Sequence, residues 1–221
     1  MLSWFTTNTT IELICLVIAA ICLARDENLI WRSQVLYLTI TCLAEISGLY
    51  ISRHRYNNQW VYNIFILFEA CFSYMMYGHF LQKYISSKPI IFTGLAVFLA
   101  FYVYEIKTHG FYTYSNLTYA LISVQFVLFS LYFYYLLLRD EQYINLRRSA
   151  NFWWVAGSLF FYFGNIACDL FDDKLSAVMI TIFHQHLTYF IFKALNIILY
   201  SCWSYSFICR KWLTTTSRNL S

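Results

Sequence analysis

Polar and ionisable side chains recur along one face of the last apolar segment of the sequence. Tyr189, Lys193, Asn196, Tyr200 and Ser204 are separated by 4, 3, 4 and 4 residues, a spacing that places them on one side of a helix. Exposing this stripe to lipid would be costly, because an ionisable group in hydrocarbon loses its hydration. We therefore expect this side of the helix to face the interior of a bundle.

Further acids and amides stand inside other apolar segments at comparable depth. With a rise of about 1.5 Å per residue, Glu45 lies roughly 9 Å, Glu69 roughly 14 Å and Lys193 roughly 15 Å from the predicted outer ends of their helices. By the same rise, Gln125 lies roughly 16 Å deep and Asn165 roughly 9 Å deep. All five fall in the outer half, which predicts one polar cavity that opens outward. The predicted ligand-binding residues are Glu45, Glu69, Gln125, Asn165, Tyr189, Lys193 and Asn196.

The buried ammonium of Lys193 needs a partner in such a cavity. An unpaired buried charge either loses its proton or destabilises the fold. The sequence therefore predicts that Lys193 pairs with Glu69, with Glu45 or with both. The alternative is an ion pair that fixes helix register and binds no ligand.

Two histidines near the start of the predicted last helix offer a possible metal site. His184 and His186 have Glu12 and Asp169 as predicted neighbours near the outer rim. An H-x-H spacing puts the two rings about 200° apart on a helix, so both reach one ion only where the backbone is irregular. The same histidines are alternatively a proton sensor, because histidine titrates near neutral pH.

No pattern in the sequence indicates an organic cofactor or a catalytic centre. A retinal site of the microbial rhodopsin type needs an aspartate four residues before the lysine, where this chain has Tyr189. The HxxxH pair of membrane hydrolases is also missing, since the chain carries HxH. The sequence therefore favours a protein that has no cofactor and is not an enzyme.

Composition identifies lipid as the surroundings of these polar groups. The 221 residues are 60% hydrophobic and 12% charged, about half the charged fraction of a soluble domain. The net charge of +4 does not indicate nucleic acid binding, because the basic residues lie in short loops between apolar runs. The 20 Tyr, 21 Phe and 7 Trp have two interpretations, a tyrosine-rich ligand cavity or ordinary packing in a sequence of biased composition.

The chain is predicted to be an all-α polytopic membrane protein, one domain over residues 1–221. A helix needs about 20 apolar residues to cross the hydrocarbon core. Strands are disfavoured, because the runs lack the alternation of a membrane barrel and lipid-exposed backbone must be internally bonded. The seven predicted helices span residues about 8–24, 34–51, 60–82, 88–106, 114–138, 150–171 and 183–208.

Lysine and arginine are unevenly divided between alternate loops, which predicts the orientation. Four lie on one side: Arg53, Arg55, Lys107 and Lys174. Ten lie on the other side: Arg25, Arg32, Lys83, Lys88, Arg139, Arg147, Arg148, Arg210, Lys211 and Arg218. Because basic loops stay in the cytoplasm, we expect the N-terminus outside and the C-terminus inside.

Two aromatic segments carry a resemblance to known proteins. With residues 60–65 (WVYNIF), Glu69 on the third helix, and residues 152–159 (FWWVAGSL), the chain resembles uncharacterised bacterial seven-helix membrane proteins. Similar modules precede histidine kinases as sensory domains, although this sequence carries no kinase domain. The resemblance implies a sensory or ligand-binding role in a bacterial inner membrane.

The sequence thus favours a receptor-like or sensor-like protein. A small polar ligand, an ion or protons would bind in the outward-facing cavity, and a cytoplasmic partner would read the change through residues 139–148 or the C-terminal tail. Three alternatives stay open: a transporter or channel subunit, a membrane-embedded enzyme acting on lipid, and a structural subunit of a membrane complex. The sequence does not define the oligomeric state.

Overall fold

A computed structural model describes residues 7–140, 145–171, 179–180 and 185–218 of the protein. The described residues form seven α-helices, which confirms the predicted helical class. They are α1 (Thr7–Leu23), α2 (Leu29–Arg53), α3 (Gln59–Leu81), α4 (Lys88–His109), α5 (Asn116–Arg139), α6 (Ala150–Leu170) and α7 (Leu187–Arg218). A single 3-10 turn, Leu146–Arg148, precedes α6.

Five of these helices are long and apolar enough to cross a membrane, namely α2, α3, α4, α5 and the part of α7 up to Leu213. The chain is therefore an integral membrane protein. The described part of α1 has 17 residues, which at about 1.5 Å per residue is slightly shorter than a hydrocarbon core of about 30 Å. Helix α6 has 21 residues but is not among the five, because its tryptophans, asparagines and Asp169 lower its hydropathy.

The helices pack in an order that closes on itself. Helix α1 packs against α2, and α2 packs against α3. Helix α3 contacts both α4 and α5, and these two helices also contact each other. Helix α5 packs against α6, α6 against α7, and α7 against α1. Helices α1, α3, α5 and α7 all begin at the same end of the bundle, which we name the upper end. The opposite end is the lower end. At the upper end, the side chain of Asn57 in the α2–α3 connection donates to Tyr112 O in the α4–α5 connection. At the lower end, Asn28 in the α1–α2 connection bonds to His79 in the last turn of α3.

Helix α2 begins five residues before the predicted start at 34. Asn28 caps it, since its side-chain oxygen accepts a hydrogen bond of 2.9 Å from Ile30 N, and Asp26 in turn accepts from Asn28 N at 2.8 Å. The prediction placed Arg32 in a loop because of its charge, but the first helical turn leaves this side chain exposed. A good N-cap stabilises a helix start more than an exposed arginine disfavours it.

Helix α7 differs from the predicted 183–208 at both ends. A two-residue antiparallel ladder, β1 (Met179–Ile180) with β2 (Gln185–His186), comes before it, so the helix starts only at Leu187. At the other end it continues to Arg218, past the basic pair Arg210 and Lys211. Helical structure therefore extends beyond the apolar part of the segment, where charge alone predicted its end.

Helices α6 and α7 approach each other closely at Gly157 and Gly164, because residues without a side chain let two helices come together. A Cβ atom added at Gly157 would lie 2.8 Å from Cys202 Cβ and 3.1 Å from Leu199 O. One turn toward the lower end, the rings of Trp154 and Trp203 stack with centroids 5.2 Å apart and planes 7° apart. This close contact fixes the position of α7, which forms part of the candidate site.

We predict that Gly157→Ala destabilises the protein, because the added methyl group forces α6 away from α7. Overpacking of this kind costs about 1–3 kcal/mol, which thermal unfolding in detergent would detect as a lower midpoint. Gly78→Ala is the matched control, since a Cβ there meets only Ile91 Cγ1 at 3.5 Å. Equal midpoints for the two variants would contradict the close packing of α6 on α7.

Candidate functional site

A cavity of ≈170 Å³ lies between the helices in the upper half of the bundle, and we name it the acidic chamber. Three carboxyl groups line it, from Glu12 on α1, Glu45 on α2 and Glu69 on α3. None of its described lining residues is Lys, Arg or His. The other lining residues are polar, aliphatic or aromatic: Tyr37, Thr41, Ala44, Tyr62, Phe65, Ile66, Tyr114, Tyr119, Phe161, Tyr162, Asn196, Leu199, Tyr200 and Trp203.

Tyrosine hydroxyls on the opposite helices bind two of the carboxyls. Tyr162 on α6 donates to Glu69 Oε1 at 2.8 Å, and Tyr200 on α7 donates to Glu12 Oε1 at 3.3 Å. Glu12 is only 3% exposed, and no described residue donates a hydrogen bond to its Oε2. A buried carboxyl oxygen without a donor is costly, so this oxygen is free to accept from an occupant of the chamber.

Stacked rings separate the chamber from the lower half of the bundle. Tyr37 stacks on Phe72 with centroids 4.2 Å apart and meets Trp203 edge-on at 5.9 Å. Trp203 in turn stacks on Trp154. These four buried rings, which we name the aromatic floor, close the chamber from below.

Asn63 on α3 holds the loop between α4 and α5 over the upper end of the chamber. Its Nδ2 donates to Phe111 O and to Thr113 O, both at 2.8 Å, and its Oδ1 accepts from Ser115 N at 3.1 Å. The loop carries Tyr114, whose ring lines the chamber. Burial, with a smaller contribution from the nearby carboxyls, raises the pKa of the Tyr114 hydroxyl above its usual range, so it remains a protonated donor at neutral pH.

Glu105 near the end of α4 completes this roof by capping α5. Its carboxylate accepts from Leu117 N at 3.0 Å, from Thr118 N at 2.8 Å and from Thr118 Oγ1 at 2.6 Å. A negative charge at a helix N-terminus is favourable, because the first backbone N–H groups have no partner within the helix. Helix α5 is thereby anchored where Tyr119 enters the chamber wall.

Three of the seven predicted ligand-binding residues line the chamber, and they are Glu45, Glu69 and Asn196. Asn165 lies behind the wall, where its Nδ2 donates to the hydroxyl of Tyr119 at 3.1 Å. Gln125 is placed elsewhere, because it accepts from the hydroxyl of Tyr74 on the seam of α3, α4 and α5. The predicted depth of Gln125 was similar, but depth alone does not define the face of the helix.

The predicted ion pair of Lys193 is wrong. Its Nζ lies 4.4 Å from the ring centroid of Tyr189, and Tyr189 itself is 42% exposed. The ion pairs among the described residues are Lys83–Asp140 and Arg210–Asp26. Lys193 and Tyr189 are thus neighbours above the chamber and do not line it.

The start of α7 explains this error. Counted from Leu187, Lys193 is about 9 Å deep, whereas Glu69 is about 15 Å deep. Side chains also tilt toward the N-terminus of their helix, which for α7 is the upper end. The long chain of Lys193 therefore runs away from the carboxyls, as lysines near the ends of membrane helices commonly do.

Of the four candidate metal ligands, the structure describes the side chains of Glu12 and Asp169 only. His184 lies outside the described residues, and only the backbone of His186 is described, in β2. Glu12 lines the acidic chamber, while Asp169 is exposed at the end of α6. Across the described residues, no group of three or more His, Cys, Asp and Glu side chains is placed to hold a metal ion.

Sequence reasoning missed the aromatic part of the chamber. Nine of its lining residues are Tyr, Phe or Trp, and the sequence left open whether such residues serve packing or a ligand. Tyr37, Tyr162 and Trp203 belong to both groups, since they are buried in the core and also line the chamber. The sequence offered one signal for these three residues, which is that each stands within one or two helical turns of a buried polar residue.

An ion pair fastens α7 at the lower end of the bundle. Arg210 binds Asp26 through two hydrogen bonds, Nε to Oδ2 at 2.8 Å and an NH group to Oδ1 at 3.1 Å. The guanidinium also lies 5.6 Å from the ring centroid of Trp31 at the start of α2. The same helix that contributes Asn196, Tyr200 and Trp203 to the chamber is thus tied to the α1–α2 turn.

Comparison with known proteins does not assign this chain to a family. No family model matches it, and neither a curated protein nor a solved structure shows a significant match. The resemblance to sensory modules therefore stays a prediction from sequence pattern.

We predict that Asn63→Ala loosens the roof, because one substitution removes three hydrogen bonds to the α4–α5 loop. The expected loss is about 1–3 kcal/mol of stability, with faster amide hydrogen exchange over residues 110–118. Asn57→Ala is the control, since this exposed side chain makes one hydrogen bond to the same loop, at 2.7 Å to Tyr112 O. Unchanged exchange in the Asn63 variant would refute the assigned role.

Proposed function

We propose that this protein is a receptor-like or sensor-like membrane protein that binds a small cation or protons in the acidic chamber. One observation carries the proposal: three carboxyl groups from three helices share a chamber whose described lining includes no basic side chain. In a low-dielectric site these like charges repel one another and must be balanced by protons or by a bound cation. Ionisable groups placed in this way within membrane helices are generally functional.

The proposed arrangement has seven transmembrane helices with the chamber facing outward. The unequal numbers of basic residues in alternate loops support an outer N-terminus and a cytoplasmic C-terminus, and the upper end then faces outside. Packing of α1 and α6 within the same closed bundle as the five longest apolar helices supports their crossing as well. A bacterial inner membrane is proposed from the resemblance alone.

Helix α7 is the proposed route from the chamber to the cytoplasmic side. It carries chamber residues at Asn196 and Tyr200, and it is tied to Asp26 at the lower end through Arg210. An occupant that binds one position of α7 better than another shifts the balance between them. A cytoplasmic partner would then read this shift at the C-terminal tail or at residues 139–148.

A transporter is the second candidate, and polar groups below the aromatic floor favour it. Gln34 on α2 is fully buried, and neither its amide oxygen nor its amide nitrogen has a hydrogen-bond partner among the described residues. The indole nitrogen of Trp154, in the aromatic floor itself, also has no hydrogen-bond partner among the described residues. Buried polar groups without partners favour ordered water, so they support a polar route through the lower half. The lipid-acting enzyme and the structural subunit have no comparable observation in their favour.

We predict that Glu69→Gln weakens cation binding in the chamber at least about tenfold, because truncating one member of a buried charge pair typically costs 2 kcal/mol or more. The measurement is thermal stabilisation of the purified protein across a series of chloride salts of potassium and of small amines, together with a titration from pH 8 to pH 5. Glu27→Gln, at an exposed position in the α1–α2 turn, is the matched control. If all cations and acidification affect both variants and the parent equally, the chamber is not a cation or proton site.

Liposomes separate the two candidate functions. A receptor would bind the cation without moving it, so flux across proteoliposomes should equal that of empty vesicles. Flux that disappears in the Glu69→Gln variant would support the transporter and overturn the receptor.

We also predict that Arg210→Met destabilises the lower end, because it leaves the carboxylate of Asp26 buried without its guanidinium. Loss of one partner of a buried ion pair costs about 3–5 kcal/mol, although the partial exposure of Arg210 places this case at the low end. Chemical unfolding and hydrogen exchange over residues 24–28 would measure it, with the exposed neighbour changed in Lys211→Met as control. Similar effects of both variants would argue against a specific fastening of α7.

A further inference from the structure

The chamber combines carboxyl groups with many aromatic rings, and a site for a small inorganic ion or for protons does not need both. It has three carboxyl groups, and nine of its seventeen lining residues are aromatic. The rings come from every helix except α1 and α4, and from the α4–α5 loop, so they surround the space. Aromatic faces attract cations through the ring quadrupole, most strongly when the cation is desolvated.

We propose that the ligand of the acidic chamber is a small organic ammonium ion, a class that includes quaternary amines and short primary amines. This inference rests on the proposed function, since it names the chemical class of the cation that the chamber binds. The carboxyls neutralise the positive charge, while the rings contact the alkyl groups attached to the nitrogen. Recognition of alkylated ammonium groups by cages of aromatic rings is a general use of this interaction.

The chemistry of the lining disfavours a bare metal cation. Hard cations such as Mg²⁺ and Ca²⁺ require six or more oxygen ligands at short, regular distances, and the described residues contain no group of acids arranged for a metal ion. An ammonium ion with alkyl groups needs less hydration and gains from contact with apolar rings. The three carboxyls exclude an anion for the opposite reason.

The free oxygen of Glu12 is an independent indication of a ligand. Glu12 is 3% exposed and lines the chamber, yet its Oε2 has no hydrogen-bond partner among the described residues. Its Oε1 is already bound by Tyr200, so the carboxyl group is held in place with one oxygen unused. An N–H group of a primary amine, or the polarised methyl groups around a quaternary nitrogen, would satisfy it.

The size of the chamber agrees with this class. A volume of ≈170 Å³ is close to that of an engineered apolar cavity of about 150 Å³ that binds benzene, a ligand with about six non-hydrogen atoms. Tetramethylammonium and choline lie near this size. Nucleotides, sugars and lipids exceed it.

The test compares ligands of equal shape and different charge on the full-length protein in detergent or nanodiscs. Choline and its neutral carbon isostere, 3,3-dimethylbutan-1-ol, differ in whether nitrogen or carbon is the central atom. Isothermal titration is expected to give at least about tenfold tighter binding for choline or methylammonium than for the isostere or for K⁺. This comparison needs no variant, so it does not depend on any variant folding.

A matched pair of substitutions then tests the rings. Phe161→Leu removes an aromatic face from the chamber wall while it keeps an apolar side chain, whereas Phe163→Leu makes the same change at a position that is 61% exposed on the same helix. We expect choline binding to weaken about tenfold in the first variant and to stay unchanged in the second. Phe65→Leu, on α3, repeats the test at a second wall position.

Each contrary result has a defined meaning. Equal binding of choline and its isostere would overturn the inference, because the rings would then act only as an apolar surface. Binding of K⁺ or protons without binding of any organic ammonium would overturn it too, but would leave the proposed function intact. If none of these cations binds and Glu69→Gln changes nothing, both proposals fail.

Discussion

Carboxyl groups from three different helices meet in one cavity between the helices, and this constraint shapes the upper half of the molecule. Carboxyl groups in a low-dielectric interior are stable only when donors, protons or a cation compensate them. The protein supplies part of this compensation through the hydroxyls of Tyr162 and Tyr200, which reach across from α6 and α7. It leaves the remainder to whatever occupies the chamber.

Much of the surrounding packing can be understood as support for this space. Gly157 lets α7 pack closely on α6, and α7 in turn packs on α1, where Tyr200 reaches Glu12. Below the chamber, stacked rings fill the interior and limit the access of water from the lower side. Above it, Asn63 and Glu105 hold the start of α5 and its preceding loop. The exposed surfaces that face lipid, by contrast, carry side chains such as Leu43 and Phe163, and these positions require only an apolar residue.

Helical class, the number of helices and the close contact at Gly157 were predictable from the sequence, because long apolar runs and small residues have strong local consequences. That Glu45 and Glu69 line one site was also predictable, since both were placed in the outer half of the membrane, and Asn196 was predicted from its position on the polar face of the last helix. The partner of Lys193 was not, because an error of four residues in a helix start moves a side chain by about 6 Å. The predicted position of Gln125 was wrong for another reason, since its side chain turns toward Tyr74 on the side of α3 that faces α4. Depth follows from the sequence, whereas direction around a helix depends on how neighbours pack.

The tryptophan pair at the base of the chamber gives the protein an internal optical reporter. Trp203 contributes to the wall and lies face to face with Trp154, so a change around one indole also affects the emission of the other. A positive charge arriving next to one indole would alter the fluorescence of the stacked pair without any attached dye. Occupancy of the chamber therefore has a spectroscopic signal in the unmodified chain.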